Sequence, residues 1–202
     1  MTGREEVTGV ILAGGLSSRF GSDKALSRFE GERLIQRLCK TVGTVADRLM
    51  LVTNSPEDYA FLDLESRRDV VPRCGPIGGI YTALRTANTR LCLCVACDMP
   101  FIRPEFLAYM VDQSPGYDVV VPMYDGREEP LCAVYRDTCI PSIEDRIEAR
   151  RYKITGFFEA VRVRRVAPGD AGFHDADMFF NINSQKDRDE ALKRLKDRRQ
   201  SR

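Results

Sequence analysis

The chain is short of the residues that announce histidine catalysis. Its one histidine, His174, falls in Gly169-Asp170-Ala171-Gly172-Phe173-His174-Asp175, a polar segment read as a surface loop, so a Ser-His-Asp triad would have no other histidine to use. No apolar run approaches the ~20 residues that span a bilayer. The opening Met1-Thr2-Gly3-Arg4-Glu5-Glu6 lacks the apolar core of a signal peptide. These absences predict a cytoplasmic location and no membrane partner. Charge of one sign is missing too: 31 Lys and Arg against 30 Asp and Glu leave +1, so no global field favours nucleic acid. A small-molecule partner is expected. The seven cysteines are odd in number, which argues against a disulfide framework in a reducing compartment. Cys92-x-Cys94-x-x-Cys97 invites a metal reading, but Cys92 and Cys94 share a strand face, Cys97 sits beyond its end, and no fourth ligand is close. Small buried hydrophobes are the expected role.

At 202 residues the chain is expected to form a single domain, with the basic tail from about Lys196 frayed. What is abundant lies near its start. Val7 to Leu12 is an apolar, β-branched run that leads into Ala13-Gly14-Gly15-Leu16-Ser17-Ser18-Arg19-Phe20-Gly21-Ser22-Asp23-Lys24. A buried strand ending in an anion-binding loop is written this way. Arg19 offers a planar fork of donors and Lys24 a compact charge, both suited to phosphate. The loop is not a Walker A motif, because Ser22 and Asp23 separate Gly21 from Lys24.

Strand and helix patterns alternate from there. A helix is expected over Glu32 to Val42, a strand over Arg48 to Thr53 and the tail of a third strand at Asp69 to Pro72. A second glycine-rich loop, Arg73-Cys74-Gly75-Pro76-Ile77-Gly78-Gly79-Ile80, then opens a helix running to Ala87. Leu91 to Ala96 reads as a central strand buried on both faces, delivering Asp98 at its end. Further helices are expected at Pro104 to Met110, Cys139 to Arg150 and Gln185 to Lys196, the last started by a Ser184/Asp187 capping box. Strands are expected at Tyr117 to Pro122, Glu129 to Tyr135 and Arg162 to Val166. The alternation predicts an α/β sandwich with a mostly parallel sheet. The Gly14 loop, Asn54, Asp69, the Gly75 loop and Asp98 all fall at predicted strand ends, where such sheets bind ligands. Asp98 is the candidate Mg²⁺ ligand, with turn capping before Met99-Pro100 as its alternative role.

These loops resemble the motifs of the MobA-type molybdenum cofactor guanylyltransferases. Leu12 to Leu26 is similar to LAGGxSxRxGxDKxL, Asp69 with Gly75 to Ile80 to D…GPLxGI, and Cys97 to Ile102 to CDxPxI. Glu129-Pro130-Leu131 resembles the family's EPL stretch, and Phe180-Asn181-Ile182-Asn183 its FxNINTP segment. Ser184-Gln185 replaces Thr-Pro, and Phe20 stands where methionine is usual. The resemblance implies a Rossmann-like three-layer sandwich of the nucleotide-diphosphate-sugar transferase type. It implies transfer of GMP from GTP to the terminal phosphate of molybdopterin, with pyrophosphate released and a recipient molybdoenzyme or its chaperone as a further partner. By the same resemblance Leu12, Ala13, Gly14, Gly15, Lys24, Asn54, Asp69, Gly75, Gly78 and Asp98 contact GTP. Asp98 holds Mg²⁺, Arg19, Lys24 and Asp98 are catalytic, and Asn181 and Asn183 lie on the molybdopterin side. Two asparagines spaced by one residue could instead satisfy backbone groups before the last helix. A cytidylyltransferase, a sugar-phosphate nucleotidyltransferase and a non-catalytic nucleotide-binding carrier or sensor are the competing readings.

Overall fold

The computed structural model describes residues 5–14, 24–26, 28–29, 31–173, 175 and 177–200. Strand β1 (Val7–Leu12) is buried along its whole length, and its side chains alternate between two cores. Val7 and Ile11 enter one; Val10 and Leu12 enter the other. A two-residue ladder pairs β2 (Arg28–Phe29) with β3 (Glu32–Arg33). Helix α1 (Leu34–Gly43) follows, lying on β1 through Ile35, Leu38 and Val42. The residue beneath it must be small. A Cβ on Gly9 would overlap Val42 Cγ1 and stand 2.9 Å from both Ala46 and Leu49.

From α1 the chain enters β4 (Arg48–Val52) and β5 (Glu65–Arg67), each parallel to its neighbour on one side of β1. Helix α2 (Pro76–Thr86) carries it over the opposite face to β6 (Leu91–Ala96), which pairs parallel with the other edge of β1. Strand order therefore reverses between β1 and β6. Helix α3 (Pro104–Asp112), β7 (Val119–Tyr124), β8 (Arg127–Glu128), β9 (Cys132–Arg136), α4 (Ile140–Glu148), β10 (Val163–Val166) and α5 (Gln185–Gln200) complete the described elements. The main sheet runs β10-β7-β9-β6-β1-β4-β5, with β8 on β7.

The sheet is mostly parallel, as expected, but β9 runs against both β6 and β7. It is reached through a hairpin whose Asp125 and Gly126 have φ of 48° and 70°, the signs that a two-residue Asp-Gly turn requires. Helices α1 and α3 cover one face, while α2 and α4 cover the other. Cys92 and Cys94 are fully buried on the α2 face, all seven cysteines are free thiols, and no group of three or more His, Cys, Asp or Glu side chains is placed to hold a metal among the described residues. No helix among the described residues is long and apolar enough to cross a membrane.

Several boundaries differ from the sequence expectation, such as β7 at Val119–Tyr124 rather than Tyr117 to Pro122, and three of the differences bear on the site or its supports. The third strand is Glu65–Arg67, and Asp69 to Pro72 form the turn beyond it, because Val70 spends its N–H on the Thr82 side chain instead of a ladder. Glu129 to Leu131 precede β9 rather than opening it. Helix α5 continues to Gln200 instead of ending at Lys196, since Arg198 pairs with Asp175 at 2.5 Å and Asp177 at 2.9 Å and lies over Phe101.

Candidate active site

The carboxyl ends of β1, β4, β5 and β6 form one edge, and backbone bonds carry it past the strands. Ala13 N–H donates to Val52 O (2.9 Å), Thr53 N–H to Arg67 O (2.9 Å) and Cys97 N–H to Leu12 O (3.2 Å). Ala13, Asn54, Asp69 and Asp98 are thereby placed around the point where strand order reverses, the position at which open α/β sheets bind ligands. Ala13 is buried and Gly14 exposed at the head of the first loop. Gly15 and Arg19 lie outside the described residues. Lys24 begins a one-turn 3-10 helix, Lys24–Leu26, and its side chain also lies outside them.

Asn54 and Asp69 bond reciprocally across the β4 and β5 ends. Asn54 Nδ2 donates to Asp69 Oδ2 at 2.8 Å, and Asp69 N–H donates to Asn54 Oδ1 at 3.2 Å. Arg68 braces the pair by donating to Asn54 O and, at 2.9 Å, to Glu57. The α2 terminus stands over this pair. Gly75 caps the helix at φ 66° and ψ −152°, a conformation open to glycine, and Pro76 starts it without needing a bonded N–H. A Cβ on Gly78 would press on Cys74 Cβ at 3.1 Å and Val71 O at 3.3 Å. One on Gly79 would lie 3.4 Å from Leu12 Cδ2 and 4.0 Å from Asp69 Oδ1. Small residues here let the amide-rich end of the helix come down beside the Asp69 carboxylate, where its positive end suits an anionic ligand.

Two contributors escaped the sequence reading. Thr82 is fully buried inside α2, where its Oγ1 accepts from Val70 N–H (2.9 Å) and donates to Gly78 O (2.8 Å), fixing the turn after Asp69. A hydroxyl set between Tyr81 and Ala83 in a largely apolar stretch of the helix was its only signal. Gly79 was visible as part of the second glycine loop but had no assigned role.

Asp98 ends the β6 side. Its carbonyl accepts Ile182 N–H at 2.9 Å, which draws the Phe180-Asn181-Ile182-Asn183 segment alongside it. Ile182 is buried with Phe29, Leu34, Phe101 and Ala191, so Asn181 and Asn183 flank a residue anchored at both ends. Asn181 Oδ1 is buried with no hydrogen-bond partner among the described residues. The expected capping box is present in a shifted form: Asp187 N–H donates to Ser184 Oγ (3.1 Å), while Asp187 Oδ2 accepts from Asn183 N–H (2.9 Å). Arg194 ties α5 to Asp177 at 2.5 Å and lies over Phe180, so the basic helix holds the asparagine segment in place. Across from Asp98, burial raises the Glu129 carboxyl above its usual range against the bond it accepts from Leu131, and the charge of Asp98 raises it further.

The arrangement has a glycine-lined half over β1, β4 and β5, a carboxylate residue at the switch point, and a second half beyond β6. Residues 9–163 match the model of the MobA-like NTP transferase domain. The chain belongs to this family. A relative from Pelotomaculum thermopropionicum named "Probable molybdenum cofactor guanylyltransferase" is 40% identical over 184 residues, covering 90% of each chain. A "Molybdenum cofactor guanylyltransferase" from Desulfosudis oleivorans is 33% identical over 196 residues, covering 95% of this chain and 97% of its own. The crystal structure of molybdopterin-guanine dinucleotide biosynthesis protein A from Archaeoglobus fulgidus superposes with a TM-score of 0.80 at 26% identity, over 94% of this chain and 99% of that one. As a member of the MobA-like family, the chain has the α/β sandwich that its alternating pattern predicts and the nucleotidyltransferase type of that fold that the resemblance implies.

Proposed function

We propose that the protein transfers GMP from GTP to the terminal phosphate of molybdopterin. An acceptor phosphate oxygen attacks the α-phosphorus, the bond from that phosphorus to the bridging oxygen of the β-phosphate breaks, and pyrophosphate leaves. The observation that carries this reading is the Asp98 junction. It stands between a glycine-lined nucleotide half and the asparagine segment bonded to its own carbonyl, so two phosphate-bearing substrates can meet there.

In this reading Ala13, Gly14 and the α2 terminus from Gly75 to Gly78 cradle GTP, and Asp69, steadied by Asn54, accepts hydrogen bonds from the nucleoside. Asn181 and Asn183 border the acceptor. Gly15, Arg19 and Lys24 belong to the phosphate loop, where the two cations offset the charge on the departing pyrophosphate. The residues at the β6 end fit a hard divalent cation, because Asp98, a carboxylate residue, bonds through its carbonyl to Ile182, next to Asn181, whose buried Oδ1 has no partner among the described residues. Mg²⁺, when bound, supplies charge neutralisation at the triphosphate oxygens. Asp98 is the residue that holds it. Seven free thiols suit a reducing cytoplasm, and the product passes to a molybdoenzyme or its chaperone.

Calorimetric titration with GTP, CTP and ATP in Mg²⁺, followed by pyrophosphate release with molybdopterin present, tests the proposal. GTP preference, and release that Asp98→Asn abolishes, are expected. Preference for CTP would move the protein to cytidylyl transfer, and binding without release would make it a carrier.

A further inference from the structure

The Glu129-Pro130-Leu131 stretch has an unusual place in the sheet. Strands β8 and β9 both run antiparallel to β7, with Glu128 opposite Met123 and Val134 opposite Val120. Three steps along β7 thus correspond to six along its partner, and the excess falls between β8 and β9. A bulge of this kind re-aims side chains and is common beside active sites. Glu129 is fixed within it: its N–H donates to Pro122 O at 3.0 Å and its carbonyl accepts from Cys132 at 3.1 Å.

The bulge coincides with the end of another ladder. Strands β6 and β9 pair as far as Val95 with Cys132, and the last bond is Ala96 N–H to Leu131 O at 2.7 Å. Asp98 and Glu129 each stand two residues beyond that bond, on chains that have parted. The β6 side is drawn toward Ile182 and the β9 side turns back on Cys132. Asp98 and Glu129 therefore flank the gap between the strand ends. Glu129 is half-buried, and no lysine or arginine pairs with it among the described residues. Independently, Asn181 Oδ1, one residue from the bond to Asp98, is a buried acceptor with no donor among the described residues.

We propose that Glu129 is the second carboxylate of the divalent-cation site, standing opposite Asp98 across the parted ends of β6 and β9 and holding the ion on the acceptor side. The proposal rests on the nucleotidyl-transfer reading for the purpose of the ion. Its physical basis is the donor set. Two carboxylates at one gap repel each other and repel the phosphates of both substrates; a dication bound by oxygen ligands removes that conflict and gives the Asn181 oxygen a partner. A carboxylate on the acceptor side without a cation would oppose the approach of the attacking phosphate.

Manganese is the probe. Binding of Mn²⁺ alone is followed by loss of the free-ion electron paramagnetic resonance signal in the full-length wild type, Glu129→Gln and Asp98→Asn, and GTP binding in EDTA is measured on the same samples. The proposal expects Glu129→Gln to weaken Mn²⁺ binding ~10-fold or more while metal-free GTP binding matches wild type. Where Glu129→Gln fails to fold, Glu129→Ala carries the same expectation. Wild-type Mn²⁺ affinity in the folded variant overturns the assignment, including the case where only the KM for the acceptor rises. If Asp98→Asn alone loses Mn²⁺, Glu129 is wrong and the transferase reading stands. If neither variant loses Mn²⁺, the metal site of that reading fails with it.

Discussion

Asn54 and Asp69 hold each other through two hydrogen bonds of 2.8 and 3.2 Å running in opposite directions, one to the carboxylate and one from the backbone. Fifteen residues separate them in sequence, and they meet because β4 and β5 are adjacent and parallel. The consequence is a carboxylate whose orientation is set before any nucleotide arrives.

Asn54→Ala removes that constraint. Losing a side-chain hydrogen bond to a charged group costs about 1–2 kcal/mol, so GTP affinity is expected to fall ~5–30-fold. Mn²⁺ binding without nucleotide is expected to stay at the wild-type level, and calorimetry on both ligands checks the split. Equal losses for both would mean that Asn54 supports the whole edge rather than Asp69.

Lys24→Ala addresses the phosphate loop. A donor aimed at charge that develops in the transition state is worth ~3–4 kcal/mol, so single-turnover pyrophosphate release should slow ~100-fold or more. Near-normal release would remove Lys24 from the chemistry.

Gly9→Ala tests packing away from the site. The added methyl would collide with Val42 and crowd Ala46 and Leu49, and overpacking of this kind costs about 1–3 kcal/mol. Denaturant unfolding should show the loss, with GTP affinity of the folded protein unchanged. A neutral effect would mean that α1 can lift from β1 without cost.

Asp118 joins the β10 edge to the rest of the sheet. Its Oδ2 accepts from Arg162 N–H (2.9 Å) and Nε (3.1 Å), and its Oδ1 from Arg162 Nη2 (3.1 Å) and Thr138 Oγ1 (2.7 Å). The Arg162 guanidinium is the main reason its carboxyl falls from an ordinary 3.8 to about 2, with the Arg162 backbone and Thr138 adding to the effect and burial opposing it. Because the folded-state value is the lower one, the stabilisation is present above the ordinary value and lost as pH falls through about 2. Asp118→Asn should cost about 1–2 kcal/mol at neutral pH, and its gap to wild type should narrow as pH drops from about 4 toward 2. Urea unfolding at several pH values measures this, and a gap independent of pH would assign the effect to shape instead of charge.

Strands with strong patterns were legible residue by residue. Leu91 to Ala96 is β6 at the predicted boundaries, because a run buried on both faces has no competing use for its side chains. Asp98 and Asn54 were legible as strand-end polar residues for the same reason. The β7 to β9 region was not. Asp125-Gly126 marks a turn, but the shift in pairing that creates the Glu129 bulge depends on which strand β9 joins. The basic tail was misread because helix formation there relies on Asp175, Asp177 and Phe101, which come from elsewhere in the chain.

What the sequence determined by itself was local: the order of strands and helices, the glycine positions of two loops, and the types of charged residue at each strand end. Those follow from periodicity, steric freedom and charge, which act over a few residues. Only the tertiary structure decided that strand order reverses between β1 and β6, that Asn54 locks Asp69, that Ile182 bonds to Asp98, and that Glu129 lies beyond the same β6–β9 ladder end as Asp98. Each of these is a contact between distant segments, fixed by which strands lie side by side and by the cores that hold them there.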